Sequence, residues 1–265
     1  MAAIGEPELS AVTQAFSAPA CGALHLEIGG VPLSLQGADE RLWRAAWERY
    51  EPFSKEVTGA YPIHVGPGEP AFEPSFRYRL NRGGIALGAG QAAFTGVQNV
   101  YELDSLLRIL LSQVLVEQRG FLLHAATIER DGRAYIFMGR SGAGKSTVAS
   151  KAPVGSVFTD EISLVRHRGR WEAHGTPFWG EFRADGQNRS APLAGVFELV
   201  QAPQNRKEAL PVRAALSALL GNTLFFSGER AARERLLGVY AALLQDVPVY
   251  RLEFRKDCSF WECIA

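Results

Sequence analysis

Alternation of apolar and polar residues dominates the first hundred positions. ALHLEIGGVPLSLQG (23–37) alternates around Gly29-Gly30 and predicts a hairpin. YPIHVG, FRYRLNRG and GIALGAGQAAFTG continue as short strand candidates between glycine turns. Within this region ADERLWRAAWERYEPF (38–53) sets Leu42, Trp43, Ala46, Trp47 and Tyr50 at helical spacing and stops near Pro52. The strongest helical signal is NVYELDSLLRILLSQVLVEQRG (99–120). There Leu103, Leu106, Leu107, Leu110, Leu111, Val114 and Leu115 form one stripe, and Gly120 ends it.

Beyond residue 100 the pattern changes to strands interleaved with helices. FLLHAATIERDGRAYIFMG predicts two strands about the dipeptide Asp131-Gly132. LPVRAALSALLGN and ERAARERLLGVYAALLQD predict helices, and a final strand pair is expected around VPVYRLEFRKDCSFWECI. The change of pattern places a boundary between an N-terminal α+β region (1–100), expected to recruit substrate or mediate oligomerisation, and a catalytic region (101–265).

Bulk properties narrow the function classes. Lys+Arg and Asp+Glu both number 28, so nothing draws the chain as a whole to nucleic acid or an anionic membrane. Cys21, Cys258 and Cys263 form no CxxC pair and no zinc-like spacing with histidine. The start, MAAIGEPELSAVTQAF, has neither the basic nor the apolar segment of a signal peptide, and no apolar run reaches the ~20 residues of a membrane span. A cytoplasmic protein with reduced thiols is expected.

The chemistry centres on YIFMGRSGAGKSTVAS (135–150). Gly139, Arg140, Ser141, Gly142, Ala143, Gly144, Lys145 and Ser146 fit GxxxxGK[ST], between an apolar strand and a helix start that includes Thr147. Such a loop turns backbone N–H groups toward one anion, with Lys145 reaching the β- and γ-phosphates and the Ser146 hydroxyl ligating Mg²⁺. ATP, or another nucleoside triphosphate, and Mg²⁺ are the expected cofactors. Downstream, VGSVFTDEISLVR brings Asp160 and Glu161 to a strand end, where one acid can hold the metal while the other serves as general base to a hydroxyl. A two-residue turn at Asp131-Gly132 pairs Arg130 with Arg133, and counting back sets His124 opposite Gly139. The imidazole would then lie beside the loop, as a phosphate contact or proton carrier.

Taken together, LLHAATIE, GRAYIFMGRSGAGKST and VFTDEISLV resemble the catalytic domain of the HPr serine kinase/phosphorylase family over about residues 119–200. The resemblance implies an α/β fold, a P-loop phosphotransferase core related to HPr kinase and to ATP-dependent phosphoenolpyruvate carboxykinases. It also implies Mg²⁺-dependent transfer to a serine hydroxyl of a peptide, protein or small molecule. By this analogy Asp160 is the general base and Glu161 helps hold the metal, although the family carries Asp-Asp here. Pro153 limits the helix after the loop to about two turns. The segment tied to phosphorolysis is missing, so a kinase is expected.

Arg183, Arg189 or Arg206 could offer positive charge to the phosphoryl group. Arg189 is favoured because it precedes APLAGVFELV, a strand placed like one in the family with an arginine ahead of it. Phe178 and Trp179 could line a pocket or fill the core. An LSGGQ-like segment and an NKxD-like base reader are both missing, which argues against a transport motor and a GTPase switch. A nucleotide-binding regulator without turnover stays as the alternative.

Overall fold

The computed structural model describes residues 22–80, 82–180 and 187–264. A six-stranded sheet comes first. β1 (Leu24–Ile28) and β2 (Val31–Gln36) form the expected hairpin, followed by α1 (Glu40–Tyr50), β3 (Tyr61–Val65), β4 (Phe76–Leu80), β5 (Gly83–Gly88) and β6 (Gln91–Thr95). The strand order is β1-β2-β3-β6-β5-β4. Asp39 caps α1 by accepting a hydrogen bond from the Leu42 N–H at 2.8 Å, and the helix buries Leu42, Trp43, Ala46 and Tyr50.

α2 (Val100–Glu117) is capped by Asn99, which accepts from the Tyr101 and Glu102 N–H groups. Its leucine stripe joins two regions. Leu103, Leu106, Leu107 and Leu110 share one apolar core with the six-stranded sheet and with Leu122, Ile162, Leu164 and Phe178 from later in the chain.

The rest is built around β7 (Gly120–Arg130), β8 (Arg133–Met138), α3 (Lys145–Ser150), β9 (Val157–Thr159), β10 (Ile162–His167) and β11 (Trp171–His174). Then follow β12 (Ser190–Gln201), β13 (Arg206–Ala209), α4 (Val212–Gly221), β14 (Thr223–Leu224), α5 (Arg230–Asp246), β15 (Val249–Phe254) and the short α6 (Trp261–Ile264). Strands β11, β10, β7, β8 and β12 are neighbours in that order, and a further β11–β12 pairing closes them into a five-strand barrel. β9 and β14 add to β7, while β15 and β13 extend outward from β12.

This closure corrects the expected fold class. The chain is strand-rich, with mixed sheets and few helices, and does not form the P-loop α/β core of a kinase related to HPr kinase and phosphoenolpyruvate carboxykinase. A doubly covered parallel sheet needs a helical crossover after each strand. Here β7–β8 and β10–β11 are antiparallel hairpins, and α3 has only six residues. Chain reversal by tight turns lets the sheet curl and meet its own edge.

Apolar residues on β7 follow the two-residue period to opposite sides. Phe121, Leu123 and Ala125 enter a core with Ile136, Met138, Trp171, Leu219 and Tyr240, whereas Leu122 faces the core beneath α2. A third core holds Phe137, Val148, Phe197, Phe254, Phe260 and Trp261 behind the glycine loop. The expected C-terminal strand pair is also corrected. β15 is a single strand flanked by β12 and β13, and the chain after it winds into α6, burying Trp261 and Ile264.

Candidate functional site

The hairpin about Asp131-Gly132 has the register that its dipeptide dictates. Both turn residues have positive φ (52° and 73°), and the pairing runs from Arg130↔Arg133 to Ala125↔Met138. The ladder ends there, one residue short of both His124 and Gly139, and the His124 N–H donates instead to the Asn222 carbonyl at 2.7 Å. On its other side β7 pairs with β10 at Ile162↔His124, and the Ala125 N–H donates to the Glu161 carbonyl at 2.9 Å. One strand thus brings together the histidine, the loop and the acid pair.

Asp160 and Glu161 lie in the two-residue link between β9 and β10, fixed by Thr159. The Thr159 hydroxyl accepts from the N–H groups of Glu161 (3.3 Å) and Ile162 (3.2 Å) and donates to the Phe178 carbonyl (3.1 Å). Buried Asp160 accepts from the Gly180 N–H at 2.8 Å through Oδ1. Glu161 points toward α2, where its carboxylate meets the Arg108 guanidinium at 3.3 and 3.4 Å.

The loop closes over a buried amine. Lys145 Nζ donates to the carbonyls of Gly139 (2.9 Å) and Arg140 (3.4 Å), and burial pushes its pKa below the ordinary lysine value. Gly144 has φ of 112°, and a Cβ there would fall 2.5 Å from Phe254 Cζ, so this position requires glycine. Val148 and Ala149 anchor α3 in the interior, leaving Ser146 exposed at its start.

A cleft of about 470 Å³ is lined by His124, Ser141, Gly142, Gly144, Lys145, Ser146, Thr147, Asp160, Glu161, Gly180, Gln201 and Lys256. Most of the residues singled out by pattern therefore share one space, while Gly139, Arg140 and Ala143 support the loop from behind or outside. Burial pulls the His124 pKa below the ordinary histidine value; Lys145 and Arg108 add to this, and Glu161 opposes it. Burial thus favours the neutral form of the imidazole. Among the described residues no three His, Cys, Asp or Glu side chains cluster to cage a metal.

Arg189 and Arg206, two of the arginines expected beside the phosphoryl group, do not line this cleft. Arg189 bonds to the Gly155 carbonyl, stacks over Phe158 at 4.5 Å and lies 4.0 Å from Glu129. Arg206 is exposed on β13 and pairs with Glu208. Arg183 lies outside the described residues. Phe178 is core, whereas Trp179 stacks against Arg49 at 4.1 Å in a neighbouring cleft.

Gln201, Lys256 and Arg108 escaped sequence reasoning. Gln201 had a usable signal: it ends a strand parallel to β8, and its Nε2 donates to the Gly142 carbonyl at 2.6 Å. Lys256 and Arg108 carry no local pattern and reach the site only through tertiary packing.

Comparison with family models gives a match to SynChlorMet cassette protein ScmC over residues 97–265, well over half the chain. The chain belongs to the ScmC family. Every residue lining the cleft falls within the matched region, while the six-stranded sheet precedes it. A search of curated proteins gives no match.

Membership of the ScmC family corrects the resemblance to HPr serine kinase/phosphorylase, for which no family match is found. That resemblance rested on three short motifs. A glycine loop, an acid pair and a strand histidine can be set together by different folds, because local chemistry requires only their juxtaposition. Roles carried over with the resemblance, including that of Asp160, must stand on geometry instead. No helix among the described residues is long and apolar enough to cross a membrane.

Proposed function

We propose that this chain is an ATP- and Mg²⁺-dependent kinase. It transfers the γ-phosphoryl group to a hydroxyl, of serine type, on a peptide, protein or small molecule. The observation that carries the reading is the cleft in which the glycine loop, Lys145, His124, Asp160 and Glu161 converge. The loop accounts for a triphosphate; beside it Asp160 and His124 add groups able to take a proton from a hydroxyl, and Glu161 adds one able to face Mg²⁺.

In the reaction the acceptor oxygen forms a bond to the γ-phosphorus. The bond from that phosphorus to the β–γ bridging oxygen breaks, and its electron pair leaves on ADP. The hydroxyl proton passes to the Asp160 carboxylate, which the Gly180 N–H holds against the cleft wall. Lys145 leaves its two carbonyl partners for the terminal phosphates, and the Gln201 contact braces the loop. Ser146, with Glu161 or Asp160, would hold Mg²⁺. One or two carboxylates with phosphate oxygens suit that ion, so a cage of protein ligands is not required. The cytoplasm, where Mg·ATP is plentiful, is the proposed location.

Two variants test the assignment. Lys145→Ala should abolish nucleotide-dependent transfer by weakening triphosphate binding at least ~100-fold. Asp160→Asn should keep binding and lose transfer. A normal transfer rate in Asp160→Asn would remove Asp160 from its role. Nucleotide binding with no transfer to any hydroxyl, unchanged by the asparagine, would support a regulator without turnover.

A further inference from the structure

A second cleft, of about 590 Å³, adjoins the first and shares Glu161 and Gly180 with it. It opens between α1, α2 and the Trp179 segment. One wall is held rigid by buried Asp104, which receives the Arg49 guanidinium through Nε (2.9 Å) and Nη2 and the Tyr50 hydroxyl at 2.6 Å. Thus fixed, Arg49 lies over the Trp179 ring at 4.1 Å, and its distance to the Tyr101 ring is 5.8 Å.

Arg108 stands at the junction and is poorly satisfied. Its distances to Glu161, 3.3 and 3.4 Å, exceed the ~2.7–2.9 Å of a good charge-assisted hydrogen bond. Its Nε is buried without a partner. Each Nη group spends one of its two N–H donors on Glu161 across these long contacts, and the donor capacity left over is open to an oxyanion entering the cleft that Arg108 lines. Arg108 lines the second cleft and not the loop cleft, so an anion reaches it through the second cleft.

We propose that the second cleft binds the phosphoryl acceptor, and that Arg108 receives a carboxylate carried by it. The acceptor class is then a hydroxy acid or a segment presenting a hydroxyl near a carboxylate. The Arg49–Trp179 wall lies along its body, and its hydroxyl passes Glu161 toward Asp160. This inference rests on the kinase reading.

The test uses N-acetyl-L-serine, which has both groups, and N-acetyl-L-serinamide, which lacks the carboxylate. Each is titrated by protein-observed NMR into the full chain with Mg²⁺ and a non-hydrolysable ATP analogue. Wild type should bind the carboxylate probe at least ~10-fold more tightly, the scale of a charge-assisted hydrogen bond. Arg108→Gln should erase the preference, and Arg108→Lys, which keeps the charge, should retain part of it. A parallel calorimetric titration of Mg·ATP and Mg·ADP reports nucleotide binding separately, so its absence in wild type refutes the kinase reading alone. Equal affinity for the two probes, or a preference that survives Arg108→Gln, overturns the acceptor proposal. So does a loss in Arg108→Gln confined to ATP over ADP, which would assign the guanidinium to the γ-phosphate.

Discussion

Alanine at Gly144 and at Gly142 should have unequal costs, and the difference can be worked from the loop. Both glycines have positive φ, 112° and 78°, so either substitution incurs a backbone penalty of about 1–2 kcal/mol. At Gly142 that is the whole effect, because an added Cβ meets nothing within 4 Å. At Gly144 the Cβ would sit 2.5 Å from Phe254 Cζ. Phe254 is fully buried and packs edge-on against Phe260 at 5.9 Å, so the ring cannot swing aside. Overpacking of this kind adds about 1–3 kcal/mol. Urea unfolding of both variants should therefore place Gly144→Ala below Gly142→Ala by that increment. Phe254→Leu in the Gly144→Ala background should recover about 1–2 kcal/mol relative to additivity. Equal stabilities within about 0.5 kcal/mol, or additive behaviour with Phe254→Leu, would refute the steric account of the loop.

Two further outcomes follow from groups outside the cleft. Burial, with Arg166 and Arg168 nearby, outweighs Glu172 and pulls the His174 pKa to about 4, so the folded state keeps this imidazole neutral. The unfolded chain takes up the proton first. The contribution is complete above about pH 6.5 and is lost as the pH falls toward 4, amounting to about 3 kcal/mol. Urea unfolding from pH 7 to 4 should show this loss, and His174→Asn should lack that share of the slope; equal slopes would contradict it. Arg189→Ala should lower stability by about 1–2 kcal/mol through its lost contacts with Phe158 and Gly155, without changing affinity for Mg·ATP. A tenfold weaker nucleotide titration would return Arg189 to the site.

Local signals carried far in this chain. The Asp131-Gly132 dipeptide set the β7–β8 register from Arg130↔Arg133 to Ala125↔Met138, since a two-residue turn leaves no freedom in pairing. The stripe on α2 and the Gly29-Gly30 hairpin were legible for the same reason: their periods are shorter than the elements. The fold class was not. Barrel closure depends on Glu172, Ala173 and His174 finding Pro192, Ala191 and Ser190, a pairing between segments with no mutual pattern. A strand–loop–helix motif looks alike whether the sheet beyond it stays open or curls shut. Arg108 was hidden similarly, because it occupies an ordinary surface-type position of α2 until the β9–β10 link brings Glu161 against it. The preference for Arg189 followed from a family likeness that the ScmC match replaces.

The central claim is that the cleft moves a phosphoryl group from ATP to a hydroxyl. ³¹P NMR of the full chain with Mg·ATP and N-acetyl-L-serine at millimolar concentration follows the γ-phosphorus directly. The account predicts a new phosphomonoester resonance growing in step with ADP, and no such product from Lys145→Ala or Asp160→Asn. Release of the γ-phosphorus only as inorganic phosphate, or ester formation undiminished in both variants, would contradict it.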